Sequence, residues 1–581
     1  MGMVSDYQPQ DGGDAMNNYL KNVSKVEAPS AADTLLSQLE KAGVDYIFAN
    51  GGTDFPPIVE AYCKAEAEGR KLPQPIVVPH ENTAVAMAHG VYLATGKMQA
   101  VMVHVNVGTA NTINAVLDAS REQIPMLLMA GRSPYSEKGH LGTRTRYIHW
   151  AQEMFDQAGM IREAVKWDYE LHLPDQVGDV VNRAIEVANS SPKGPVYLTL
   201  PRDILAAPDS SAEGRSKMRP AVAQSMPAAQ DIERIASWLR EAERPLIVTG
   251  STGRDSETFQ ALAEFANRYA VPVTSYHQRF NSISTDHPFN AGGDPMPWVR
   301  EADFILVLDC DVPWIPQIAE PADDAKVVHV GEDPIFARYP MRSFQSDMSM
   351  ASRSVDVLES LLAELGEELP VAESRRGLLV ERIASAQARI RTESEPKEHL
   401  TPEYISRVIG EVADPDAVIV NEYPLRVEHC SRTEPGTYFG LSPAGGLGWG
   451  LGAALGIKLA SPEKDVICTM GDGAYIFTNP TASHWVAQAQ GLPVLTIIYN
   501  NALHGAVRNS TLAMYPGGHS SKSAGRMLAD LSPTPAFETL AGAEGLGLRV
   551  ETVEELKPAI ERALAATREG RQALINVICD Y

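Results

Sequence analysis

Val466-Ile467-Cys468-Thr469-Met470-Gly471-Asp472-Gly473-Ala474 is an apolar run that breaks off in Gly-Asp-Gly. A second apolar run, Val494 to Tyr499, ends in Asn500-Asn501, which places Asn501 29 residues past Asp472. Short runs that are apolar throughout read as parallel strands buried on both faces, and the stretch between them reads as a crossover helix. That layout sets a carboxylate and an amide oxygen side by side at the C-terminal edge of one sheet, where open α/β sheets bind their ligands. Two hard oxygen ligands, glycines that admit close backbone approach and a helix start together suit Mg2+ carrying a diphosphate.

Working outward, strand and helix patterns alternate on both sides of this motif. Tyr46 to Phe48, Ile76 to Val78, Val101 to Val105, Met126 to Met129 and Val196 to Leu200 are strand candidates, with helices over Thr83 to Ala94 and Asn111 to Glu122. The pattern predicts a doubly wound α/β unit. A second unit opens at Arg244-Pro245-Leu246-Ile247-Val248-Thr249-Gly250 and has later strands at Phe304 to Leu308 and Val327 to Val330. A third begins near Thr401, with strands at Ala417 to Val420 and Ala573 to Cys579. The expected organisation is a flexible arm 1–28, a first unit 29–205, a polar linker 206–230, a central unit 231–365, a charged connector 366–400 and a last unit 401–581. All three units are expected to be doubly wound parallel sheets, and 581 residues are too many for one core.

The balance of 50 basic against 74 acidic residues gives a net charge of −24, which argues against a nucleic-acid or anionic-membrane partner. No apolar run approaches membrane-spanning length, and the five cysteines lack C-x-x-C pairing. A reduced, cytoplasmic protein is the expectation.

The Gly-Asp-Gly…Asn-Asn motif resembles the cofactor motif of thiamine-diphosphate enzymes, and five further segments fit the same family. Pro79-His80-Glu81-Asn82 opens a helix of small residues, and Ala444-Gly445-Gly446-Leu447-Gly448 precedes another. His104-Val105-Asn106-Val107-Gly108-Thr109-Ala110-Asn111 and Asp286-His287-Pro288 look like benzoylformate decarboxylase, as does Phe48-Ala49-Asn50-Gly51-Gly52-Thr53. The chain is thus similar to the acetolactate synthase and benzoylformate decarboxylase type, with pyrimidine-binding, central and diphosphate-binding domains.

The resemblance implies a role for each residue. Glu81 hydrogen-bonds the aminopyrimidine and promotes loss of the C2 proton. Leu447 wedges the two cofactor rings into a V, and the Gly445 carbonyl receives the 4′-amino group. Asp472, Asn501 and the Leu503 carbonyl hold Mg2+, while Gly471 lines the diphosphate and Gly473 and Ala474 offer it N–H groups. His104 and His287 handle protons at the substrate, Thr53 offers it a hydroxyl, and Gln152 and His504 are weaker candidates. Where relatives have Ser or Thr for the diphosphate, Asn421-Glu422-Tyr423-Pro424-Leu425-Arg426 stands instead, with Arg426 as the expected substitute. The stretch 506–519 reads as a mobile lid.

The implied activity is a thiamine-diphosphate- and Mg2+-dependent 2-oxo acid decarboxylase or carboligase, a lyase or transferase acting through a C2 ylide and an enamine. It implies a homodimer or homotetramer in which Glu81 of one subunit meets Asp472 of another. FAD in the central unit stays open but not favoured, because the acetolactate synthases' FAD-contacting stretch is not found. Two alternatives remain: a C–C lyase or hydrolase acting on a 2-hydroxyacyl or diketone substrate, and a non-catalytic cofactor-binding regulatory subunit.

Overall fold

In the computed structural model, residues 28–211, 217–367, 369–523 and 526–580 are described. The expected N-terminal arm therefore lies outside them except for Ala28. Three sheets form, every pairing in them parallel.

The first sheet holds β1 (Tyr46–Asn50), β2 (Gln74–Val77), β3 (Gln99–Val103), β4 (Met126–Arg132), β5 (Asp168–Glu170) and β6 (Pro195–Pro201), in the order β2-β1-β3-β4-β6-β5. The central sheet holds β7 (Pro245–Thr249), β8 (Val273–Ser275), β9 (Phe304–Leu308), β10 (Lys326–Gly331) and β11 (Met348–Ala351), ordered β11-β10-β9-β7-β8. The third holds β12 (Val418–Glu422), β13 (Tyr438–Gly440), β14 (Val466–Gly471), β15 (Leu495–Asn500), β16 (Leu546–Val550) and β17 (Ala573–Ile578), ordered β13-β12-β14-β15-β17-β16. The first and third orders are the same when strands are counted from the start of each sheet. Their sequences give no hint of this equivalence.

Two helices join those sheets. α1 (Glu81–Thr95) follows β2, and α2 (Val105–Arg121) follows β3. Both begin earlier than the sequence reading placed them, at Glu81 itself and directly after His104. β3 correspondingly stops at Val103. The cause is burial: Val105, Gly108 and Thr109 are poor helix formers, but they pack into the core, and tertiary contacts outweigh propensity. α3 (Pro370–Glu393) fills most of the charged connector, and its buried Arg375 donates to the carbonyls of Ala242, Tyr269 and Ala270. That ties the connector to the central unit.

α4 (Gly450–Ala460) follows the Leu447 loop and packs across α1. A β-carbon on Gly90 would sit 2.0 Å from the Ala453 carbonyl oxygen, and one on Gly456 would sit 2.0 Å from that of Met87. Only glycine lets the two backbones approach this closely. No helix among the described residues is long and apolar enough to cross a membrane.

Candidate active site

The first cluster gathers at the C-terminal ends of β1, β3 and β4. Glu81, 7% exposed, starts α1, and its two carboxylate oxygens accept from Asn50 Nδ2 (2.9 Å) and Asn111 Nδ2 (3.0 Å). A carboxylate so held still has lone pairs free for a ligand. Beside it, His104 caps β3, and its Nδ1 lies 2.5 Å from Oδ1 of the buried Asp54. Its Nε2 lies 3.1 Å from the Gln152 side-chain amide. Asp54 Oδ2 also accepts from Val105 N–H at 3.3 Å.

The backbone is shaped around this pair. A β-carbon on Gly52 would meet the His104 ring at 2.2 Å, and one on Gly131 would meet Asp54 Oδ2 at 1.7 Å. Val105 takes φ +36°, a strained value for a β-branched residue and one that fixes the direction of His104. The hydrogen bond that the His104 ring donates to Asp54 holds its pKa above the ordinary value; burial opposes this, and the charges of Asp54 and Glu81 add to it. Thr53 Oγ1 lies 3.2 Å from His149 Nε2. The fold thus brings together Glu81, His104, Thr53 and Gln152.

The second cluster lies at the C-terminal ends of β14 and β15. Asp472 opens α5 (Asp472–Phe477), which follows Gly471 directly and is succeeded by α6 (Pro480–Ala489). Asp472 Oδ1 accepts from Gly473 N–H at 2.7 Å, whereas its Oδ2 is buried without a hydrogen-bond partner. Asn501 Oδ1 accepts from Leu503 N–H at 3.0 Å, and its Nδ2 is likewise buried and bare. Burial, opposed by the surrounding backbone N–H groups, raises the Asp472 pKa. A buried carboxylate with one bare oxygen fits a divalent cation, and the bare amide NH2 of Asn501 fits the anion that such a cation carries.

His504 stands over Gly473, where a β-carbon would strike its ring at 2.7 Å. The stretch read as a lid is not an extended loop: residues Gly505–Met514 form a helix, α7, with no buried residue. Arg426 uses its backbone N–H on Ser406 Oγ.

The Leu447 loop belongs to this half of the molecule too. Gly445 and Gly448 take φ +68° and +88°, and Leu447 is half-buried against the main core.

His287 stands apart. It sits in a turn of the central unit, where its Nδ1 accepts from Phe289 N–H at 3.2 Å and burial lowers its pKa. Among the described residues, no hydrogen bond or ion pair links it to either cluster. None links the two clusters to each other.

Asp54, Asn50 and Asn111 are site residues that the motifs alone did not single out. Asp54 directly follows the Gly51-Gly52-Thr53 turn, so an acid at the end of that motif was the available signal. In the central unit, the C-terminal ends of β7 and β9 are bridged by the chain's own side chains. Buried Arg279 donates to Ser251 Oγ (2.6 Å from Nη2) and pairs with Asp311 (3.1 Å) and with Glu122 at the end of α2 (3.0 Å).

Three family models match in order. They are the thiamine pyrophosphate (thiamine diphosphate) enzyme N-terminal TPP binding domain over residues 29–160, its central domain over 232–361 and its C-terminal TPP binding domain over 424–577. The acetolactate synthase large subunit of Haemophilus influenzae is 25% identical over 94% of this chain and 94% of its own length. The benzoylformate decarboxylase of Pseudomonas aeruginosa is 26% identical over 91% of this chain and 96% of its own. Among solved structures, the thiamine diphosphate-dependent 4-hydroxybenzoylformate decarboxylase of Rhodococcus jostii RHA1 superposes with a TM-score of 0.76 at 23% identity. It covers 95% of this chain and 99% of that one.

Proposed function

We propose, from the premise that this chain belongs to the thiamine pyrophosphate enzyme family through all three of its domains, that it acts on a 2-oxo acid with thiamine diphosphate and Mg2+. The observation that carries the reading is the pairing of a buried Glu81, held by two asparagines, with an imidazole held by Asp54 at the next strand end. That is one carboxylate to promote ionisation of a bound cofactor and one acid–base group to finish the reaction.

When bound, thiamine diphosphate supplies a carbanionic carbon that adds to a carbonyl and an electron sink once a bond to that carbonyl carbon breaks. Glu81 would present its carboxylate to the aminopyrimidine of the bound cofactor. Asp472, Asn501 and the Leu503 carbonyl would hold Mg2+, with Gly471, Gly473 and Ala474 around the diphosphate. Leu447 would lie beneath the rings, and the Gly445 carbonyl would accept the amino group. His104, kept protonated to higher pH by Asp54, donates a proton at the substrate-derived carbon, which favours release of an aldehyde. Gln152 fixes the other edge of the ring. His287 has no part in this sequence of steps.

Carboligation is the second reading, because relatives named acetolactate synthase align with nearly the whole chain. FAD stays outside the proposal, because the stretch with which the acetolactate synthases contact it is not found in this sequence.

The working unit in this proposal is a homodimer, or a pair of dimers, with Glu81 of one subunit facing Asp472 of the other. Supporting it, no described hydrogen bond or ion pair joins Glu81 or His104 to Asp472 or Asn501 within one chain, yet each cluster is flanked by exposed apolar side chains. These are Tyr147, Trp150 and Phe155 near the first and Ile476, Phe477 and Trp485 near the second.

Proton NMR of the protein with thiamine diphosphate, Mg2+ and a panel of aryl and branched 2-oxo acids tests the reading. Aldehyde formation is expected. Acetolactate from pyruvate would move the reaction to carboligation. No turnover of any 2-oxo acid would overturn the proposal and direct attention to C–C cleavage of 2-hydroxyacyl or diketone substrates.

A further inference from the structure

We infer that Asp118 and Glu422 are positioning residues that clamp the Leu447 loop from opposite sides and so set the shape of the surface beneath the cofactor; this rests on the role proposed for Leu447. The two carboxylates come from different domains and meet one five-residue stretch, Gly446 to Gly450. Asp118, on α2, accepts from Gly446 N–H with its Oδ1 at 2.9 Å. Asn114, one turn earlier on that helix, donates to the Leu447 carbonyl at 2.9 Å, and Ser442 Oγ donates to the Asp118 carbonyl at 2.9 Å. From the other side Glu422, the last residue of β12, accepts from Gly448 N–H (2.7 Å) and Gly450 N–H (2.6 Å) with separate oxygens. Leu447 is therefore flanked by an amide on each carboxylate and has its own carbonyl held.

A loop with left-handed glycines at 445 and 448 has many conformations open to it, so something outside the loop must choose one. The choice is made with groups that are costly to bury. Both carboxyls are fully buried, and Asp118 Oδ2 has no hydrogen-bond partner. Burial pushes Asp118 up to about 8 and Glu422 up to about 7. An apolar residue in either place would leave those backbone N–H groups buried without a partner. Fixing three specific amide positions is something only acceptors can do. α2 also carries Asn111, which holds Glu81, so a single helix sets both Glu81 and Leu447.

Amide hydrogen exchange and cofactor titration on the full-length protein separate this inference from the function it rests on. In the D118L variant, exchange at Gly446 should accelerate at least tenfold while Gly448 and Gly450 stay protected. D118N, which keeps an oxygen for Gly446, should exchange like the parent. Thiamine diphosphate with Mg2+, titrated by quenching of the protein's tryptophan fluorescence, should half-saturate D118L at a concentration at least tenfold higher. If D118L is insoluble, N114A reads the same loop through the Leu447 carbonyl and should bind at least threefold more weakly.

Unchanged exchange at Gly446, or unchanged half-saturation in the soluble variant, overturns the clamp. A parent protein that binds no thiamine diphosphate would sink the proposed function and the cofactor role of the clamp. The exchange result would still decide whether Asp118 orders the loop.

Discussion

Replacing Glu81 by Gln leaves the shape of the side chain but sets its new NH2 against one of two amide donors, Asn50 or Asn111. That mismatch costs about 1–3 kcal/mol of local stability. Losing the charge should cost turnover far more, roughly 10²–10⁴-fold. Steady-state kinetics alongside cofactor titration check this: kcat should collapse while thiamine diphosphate still binds. Activity surviving in E81Q would contradict the role given to the carboxylate.

The Asp54–His104 pair makes a different prediction. Asp54 raises the His104 pKa, so D54N should shift the basic limb of the kcat–pH profile to lower pH and cut kcat at pH 7.5 about tenfold, with D54E partly restoring it. The stability linked to this pair has the matching sign. It is fully present below the unfolded histidine pKa and is lost as pH rises through the folded one. A profile unmoved in D54N would reduce Asp54 to a structural residue.

At the scale of elements, α1, α2 and α4 carry most of the consequence. Legibility divided along a physical line here. Residues whose signal is local, such as Glu81 at a helix start and Asp472 in Gly-Asp-Gly, could be read from their neighbours. Asp54 with His104, 50 positions apart, and Asp118 with Gly446, 328 apart, are made by the crossing of elements, and no short motif encodes them. The start of α2 was hidden for the same reason, since Val105 to Thr109 become helical only by being buried. Residues 506–519 misled in the other direction, their small polar side chains suggesting a loop where Gly505–Met514 is a helix.

The buried acids on these elements give a pH prediction. With folded values of about 8 and 7, above those of free carboxyls, Asp118 and Glu422 contribute stability that is complete below the unfolded pKa and lost as pH rises through 7 to 8. Calorimetry should show the thermal midpoint falling by several degrees between pH 6.5 and 9, and falling less in D118N. Equal slopes in the two proteins would contradict the burial of a titrating Asp118.

For the whole molecule, the first and third sheets share one strand order, which puts the Glu81 turn and the Leu447 loop at matching places, after β2 and β13. His104 and Asp472 match in the same way, after β3 and β14. In the proposed dimer, a two-fold partner would set one of these halves against the other and so complete each site. Subunit mixing tests this: E81Q and D472A homodimers should each be inactive. Random hybrids should recover about a quarter of parent activity, because half the dimers then carry one intact site of two. No recovery in demonstrably mixed dimers would mean that both clusters serve the same chain.

The central claim, that Glu81 activates thiamine diphosphate held at Asp472 and Asn501, is tested most directly by exchange of the cofactor's C2 proton in deuterium oxide, followed by acid quench and proton NMR. With Mg2+ present, the bound cofactor should exchange orders of magnitude faster than free thiamine diphosphate, and E81Q should bring the rate back close to the free value. Exchange in the parent protein no faster than in solution would contradict the account.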